Sequence, residues 1–88
     1  MITVYVLRGR KTKKRYVGIT NNLSRRTREH QAGNSAAGKV IGQDVDVILT
    51  ESYPDYVTAR RRERYLKSGA GREWMDSMFT GSRPASGG

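Results

Sequence analysis

Arg26 and His30 stand where an amphipathic helix would normally carry core residues. In the stretch from Tyr16 to His30, a short apolar strand ends in Gly18-Ile19-Thr20, two Asn residues offer an N-cap, and a strongly polar helix begins. A helix docked on a core is apolar at i, i+3, i+4 and i+7, and counted from Leu23 those positions are Arg26, Thr27 and His30. A guanidinium and an imidazole on the inward stripe are too costly to keep for packing, so a polar site is expected against this helix. A later helix repeats the anomaly, because its inward stripe reads Tyr56, Ala59, Glu63 and Leu66. A carboxylate in that line must meet a cation, a metal ion or a wet pocket. A salt bridge to Arg26, or to Arg60 and Lys67 one turn away, would serve as well, and both readings stay open.

The elements that must position these groups follow from periodicity and breakers. Ile2 to Leu7 is β-branched and aromatic, a strand with Ile2, Val4 and Val6 on one face and Thr3, Tyr5 and Leu7 on the other. Arg8 to Lys14 is a basic turn broken by Gly9, and Arg15 to Ile19 is the second strand. A hairpin centred near Arg10 and Lys11 sets Tyr5 opposite Tyr16, with both phenols on one face. That pair is either two converging hydroxyls or an aromatic cover for the core. The first helix is expected from Asn22 to Ala32, stopped by Gly33-Asn34, and Ser35 to Gly42 reads as a loop. Val45 to Thr50 reads as a third strand with Val45, Val47 and Leu49 on one face, broken by Glu51 to Asp55. Tyr56 to Lys67 is the second long helix, with Arg61, Arg62 and Arg64 on its outer half. Arg72 to Phe79 forms a short last helix that covers the core with Trp74, Met75 and Phe79. The Gly, Ser and Pro-rich stretch 80–88 is expected to be a flexible tail behind a domain at 1–79.

Bulk properties bound the chemistry. The chain has 88 residues, no Cys and one His, which leaves one modest core without disulfides or a structural zinc centre. No run approaches the ~20 apolar residues of a membrane span, so the expectation is a soluble, cytoplasmic protein with no membrane partner. Seventeen Lys and Arg against eight Asp and Glu give a formal charge of +9. That balance favours a polyanion, above all nucleic acid, although it also serves solubility. Lys13, Lys14, Arg15, Arg25, Arg60 and Lys67 are the expected contacts.

Thr3-Val4-Tyr5, about ten residues, Tyr16-Val17-Gly18, then Asn22-Leu23-Ser24-Arg25-Arg26, then His30, and Glu63 within Ala59 to Lys67, together resemble the GIY-YIG nuclease family. The resemblance spans Val4 to about Trp74 and is to the small free-standing members. It implies an α+β fold, a three-stranded antiparallel sheet flanked by helices, and metal-dependent hydrolysis of a phosphodiester. By resemblance, Tyr16 is the phenol nearest the attacking water and Tyr5 its hydrogen-bonded partner. Arg26 holds the phosphate, His30 assists proton transfer near Tyr16, and Glu63 is the one protein carboxylate on a Mg²⁺ or Mn²⁺. Such roles suit a phosphodiester, whose transition state needs a positioned nucleophile, cations on the equatorial oxygens and a Lewis acid at the leaving oxygen. The first triplet lacks the family's first Gly, and no Asn follows Asn34. The implied substrate is nucleic acid, DNA favoured over RNA, with specificity supplied by a partner protein or by substrate structure. The pathway stays open among repair, mobile-element maintenance and defence. The alternative from the charge is a module that keeps the fold, binds nucleic acid and cuts nothing.

Overall fold

The computed structural model describes residues 1–33 and 38–79, with the side chains of 39 and 40 left aside. Positions 35–37 of the expected loop, position 34 of the expected helix stop and the expected tail over 80–88 lie outside the described residues. The elements run β1 (Ile2–Gly9), β2 (Arg15–Thr20), α1 (Leu23–Gln31), α2 (Gly38–Ile41), β3 (Val45–Tyr53), α3 (Tyr56–Lys67) and α4 (Gly69–Phe79). The sheet is antiparallel in the order β2-β1-β3, so this is the α+β arrangement expected. Among the described residues no helix is long and apolar enough to cross a membrane.

β1 is central and apolar on both faces because both faces are covered. Ile2, Val4 and Val6 join Val17, Ala59, Leu66 and Met75 in one cluster, with Trp74 and Phe79 packed against it. Tyr5 and Leu7 form a second cluster with Ile41, flanked by Tyr16, Leu23 and Val45. Ile41 is 1% exposed. The expected loop over Ser35 to Gly42 therefore contains a turn of helix that anchors the second face, a burial that composition hides because Ile41 is surrounded by small residues. Thr12 Oγ1 donates to the Ile41 carbonyl at 3.0 Å and fastens the hairpin tip to α2.

The hairpin register is one step off the expectation. Tyr16 pairs with Leu7 and Tyr5 with Gly18, since Gly9 N donates to the Lys14 carbonyl at 2.9 Å and the turn centres between Lys11 and Thr12. Moving the turn centre by one residue shifts the pairing by two. Both phenols thus keep their common face and become diagonal neighbours, with ring centroids 6.4 Å apart. On β3 the error changes faces. A bulge between Val6 and Leu7 of the partner leaves Ile48 as the extra residue, so Leu49 follows Val6 into the first cluster while Val45 joins the second. Val45, Val47 and Leu49 therefore do not share a face, and Val47 stays exposed. The strand also runs through Glu51 and Ser52 to Tyr53 rather than breaking there, because the ladder with Ile2 to Val4 continues.

Local signals set the helices. Asn22 caps α1 by accepting from Arg25 N at 3.0 Å, and Gly33, with φ of +83°, follows its last turn. Asp55 caps α3 by accepting from Thr58 N at 2.8 Å. Tyr56, expected on the inner stripe of α3, is the first residue of the helix and stays exposed, whereas Ala59 and Leu66 are fully buried. Arg62, expected on the outer half, turns inward. It donates twice to Glu51, at 2.8 and 3.0 Å, and lies 4.8 Å over the Trp74 ring, because the longer β3 brings Glu51 beneath it. At the α3–α4 corner, a Cβ on Gly71 would meet the Tyr65 carbonyl and come within 2.6 Å of Leu66 Cα. Gly71→Ala gains at most ~1 kcal/mol of helix propensity, but the blocking atoms are backbone. The expected net effect is a loss of about 1–3 kcal/mol with unchanged denaturant slope, measured by urea unfolding.

Candidate functional site

The inner stripe of α1 meets the polar partners that its composition demanded. Tyr5, Leu7, Tyr16, Arg26, Thr27 and His30 line one cleft so tight that it leaves no space for a water molecule. Gly18 is what lets the two phenols approach. A Cβ there would fall 2.6 Å from the Tyr5 hydroxyl oxygen and 3.1 Å from the Tyr16 ring, so the Tyr5 phenol lies across a strand position that has no side chain. Arg26 Nε donates to the Tyr5 hydroxyl at 3.5 Å, a long contact, and its Nη1 donates to Glu29 at 3.3 Å. Of the two phenols, the one that the guanidinium contacts is thus Tyr5.

His30 is 1% exposed at the back of the cleft. Its Nε2 lies 2.8 Å from the Gly42 carbonyl, which can only accept, so Nε2 carries the proton. Nδ1 is buried and has no hydrogen-bond partner among the described residues. What the ring offers the cleft is therefore an acceptor.

Burial dominates the electrostatics of Tyr5. It raises the phenol above its ordinary value, Arg26 pulls it partly back, and the charges of Tyr16 and Glu63 push it further up. Tyr5 is therefore a neutral phenol at physiological pH, and its oxygen accepts from Arg26. Arg26 is raised in turn by its bonds to Tyr5 and Glu29 and stays cationic. Because the folded Tyr5 holds its proton more tightly than the unfolded chain, its contribution to stability is complete below pH ~10 and is lost as pH rises through the folded value. The free energy of unfolding measured from pH 8 to 11.5 should fall less steeply in Tyr5→Phe. Tyr53, also raised by burial and by its bond to Glu51, supplies a shared slope in both proteins.

Glu63 stands on α3 and is not among the residues that line the cleft; its charge is the smallest of the influences on the Tyr5 phenol. Its side chain is 18% exposed and accepts from Lys67 Nζ at 3.1 Å, so of the three cations proposed from sequence Lys67 is the observed partner. Among the described residues no three His, Cys, Asp or Glu side chains converge, which argues against a closed protein cage for a cation. A single half-buried carboxylate does suit Mg²⁺ or Mn²⁺, which keep several waters and take only one or two protein carboxylates beside substrate oxygens.

A groove of about 730 Å³ opens on the other side of Tyr16. Arg8, Lys13, Lys14, Arg15, Lys67 and Arg72 line it over a floor that includes Val17, Leu66 and Met75. Four of the six expected nucleic-acid contacts are brought together here, whereas Arg25 and Arg60 are not among its lining residues. Arg25 instead approaches Glu29, at 3.9 Å, on its own helix. Arg8 and Arg72 were not anticipated. Arg8 was legible only from the register, since it pairs directly with Arg15, and Arg72 has no signal in the sequence beyond its charge. Within the groove Arg15 is held by Asp76 at 2.7 Å.

The model of the family described as the GIY-YIG catalytic domain matches residues 1–74. Among curated proteins, a UPF0213 protein of Xanthomonas campestris pv. campestris (strain 8004) is 40% identical over 52 residues, 59% of this chain and 51% of that protein. A UPF0213 protein of Xanthomonas axonopodis pv. citri (strain 306) is 38% identical over 52 residues, with the same coverage. The match spans about half the length of these relatives. No solved structure matches.

Proposed function

This chain belongs to the GIY-YIG family, a family of nuclease type, and from that premise we propose that it is a divalent-metal-dependent endonuclease that hydrolyses phosphodiester bonds in DNA. The observation that carries the reading is the junction at Tyr16, whose ring lines both the cleft with Tyr5, Arg26 and His30 and the groove of six cations. A strand held by its phosphates in that groove runs beside the phenol.

Tyr16 orients the attacking water by accepting its hydrogen bond. The water oxygen forms the new bond to phosphorus while the bond to the leaving sugar oxygen breaks, and the proton the water gives up passes through solvent to that leaving oxygen. Arg26 neutralises charge on the non-bridging oxygens, a donor aimed where charge develops, and Tyr5 as a neutral phenol fixes the guanidinium through Nε. His30, whose unpartnered Nδ1 is an acceptor in the same cleft, assists proton transfer near Tyr16. When bound at Glu63, Mg²⁺ or Mn²⁺ supplies Lewis-acid stabilisation of the leaving oxygen. The Lys13, Lys14, Arg15 and Lys67 side chains bind the strand without reading its sequence.

The test is cleavage of labelled DNA and RNA, including branched and flapped forms, in Mg²⁺, Mn²⁺ or EDTA. Cutting of DNA that requires the metal is expected. Binding without cutting on every substrate would overturn the nuclease reading in favour of an idle binding module.

A further inference from the structure

Lys67 belongs to two places at once. Its Nζ donates to Glu63 Oε2 at 3.1 Å, and its side chain lines the basic groove. The two ends of that contact are unlike, for the Glu63 side chain is 18% exposed and that of Lys67 54%. A half-exposed i,i+4 ion pair is a weak tether, and a lysine stem is long enough to swing between neighbouring partners. The competing partners are of one kind each. A divalent cation on Glu63 would face the ammonium across the same carboxylate and repel it, and a phosphate in the groove would attract it. Arg15, by contrast, already has a carboxylate within the groove at Asp76 and has no contact with Glu63 among those described.

We propose that Lys67 is a positioning residue that exchanges partners: in the free protein it neutralises Glu63, and it moves to a backbone phosphate in the groove when that carboxylate takes a divalent metal ion. The inference rests on the nuclease reading above and deepens it. Metal and strand then reinforce each other's binding, and by linkage the reinforcement is reciprocal. The free protein keeps its carboxylate satisfied, and a metal ion is held well only when a strand is present.

The experiment measures oligonucleotide affinity against salt for Tyr16→Phe, which keeps the strand uncut, and for the same protein carrying Lys67→Met or Lys67→Arg. Each is titrated in EDTA and in Mn²⁺. In EDTA the slopes of log K against log salt should differ between the Tyr16→Phe and Lys67→Met proteins by clearly less than one phosphate contact, because Glu63 competes for Lys67. In Mn²⁺ the lysine protein should be steeper by about 0.7–0.9, one phosphate contact, and Lys67→Arg should restore the slope. Without oligonucleotide, Mn²⁺ affinity followed by the EPR signal of free ion should rise about two- to fivefold in Lys67→Met. A slope difference that is the same in EDTA and Mn²⁺ would overturn the exchange, since Lys67 would then contact phosphate regardless, and so would no difference in either. Mn²⁺ binding that Glu63→Gln does not weaken would remove the metal reading and the exchange with it. Mn²⁺ binding that depends on Glu63 beside unchanged slopes removes the exchange and leaves the nuclease standing.

Discussion

Glu63→Gln should abolish metal-dependent cleavage, lowering kcat by at least about a thousandfold, while nucleic-acid affinity stays within about threefold of the parent protein. A thousandfold is ~4 kcal/mol of transition-state stabilisation, which is what removing a Lewis-acid ligand can account for and what an ion pair cannot. The pair that Gln would break, Glu63 with Lys67, is an i,i+4 contact with the lysine half exposed, worth about 0.5 kcal/mol. The variant should therefore fold, with a urea midpoint close to the parent's. A large stability loss would show instead that Glu63 is structural. If the parent protein does not cut at all and Glu63→Gln binds more tightly, the carboxylate is only a repulsive charge beside the groove, as an idle module requires.

The second large effect is expected at Arg26. Arg26→Ala should lower kcat by about 10²–10³ with little change in KM, the size seen when one donor to a developing oxyanion is removed. Its contacts in the resting protein are weak ones, a 3.5 Å approach to the Tyr5 hydroxyl and a 3.3 Å bond to the half-exposed Glu29, so the cost in stability should be within about 1 kcal/mol. Arg26→Lys is informative beside it. A lysine keeps the charge but loses the fork that lets one nitrogen rest on Tyr5 while others face a phosphate, so only part of the rate should return. Loss of binding with kcat unchanged would move Arg26 out of the reaction and into the groove's electrostatics.

Legibility in the sequence followed the range of the interaction concerned. The α1 stripe of Leu23, Arg26, Thr27 and His30 was readable because a helix has a fixed 3.6-residue period and because Asn22 and Gly33 mark its ends through bonds within one turn. Arg26, Thr27 and His30 of that stripe do line the cleft, while Leu23 packs against the second cluster. The common face of Tyr5 and Tyr16 was readable for the same reason, since strand faces alternate with period two and survive a register error of two. The roles of Gly18 and Gly71 were not readable, because a glycine in a strand or helix reveals nothing of which side chain or backbone will cross it.

The Arg62 error shows how one long-range fact carries others with it. Arg62 points inward because Glu51 still lies in β3, and β3 extends that far because its ladder on β1 persists to Ile2. Sequence periodicity cannot count a bulge at Ile48, since the residue that is left over depends on how two strands meet.

What the sequence by itself determined was every element except α2, the polar stripe of α1, Glu63 on the inner line of α3, the basic character of the hairpin and the family resemblance. Each rests on caps, periods and spacings carried within a single element. What only the tertiary structure decided was the hairpin register, the face of β3, the burial of Ile41, the capture of Arg62 by Glu51, and the convergence of Arg8 and Arg72 with Lys13, Lys14, Arg15 and Lys67 around Tyr16. Those depend on which surfaces meet after the chain has closed on a central strand covered from both sides, and no local preference encodes that meeting.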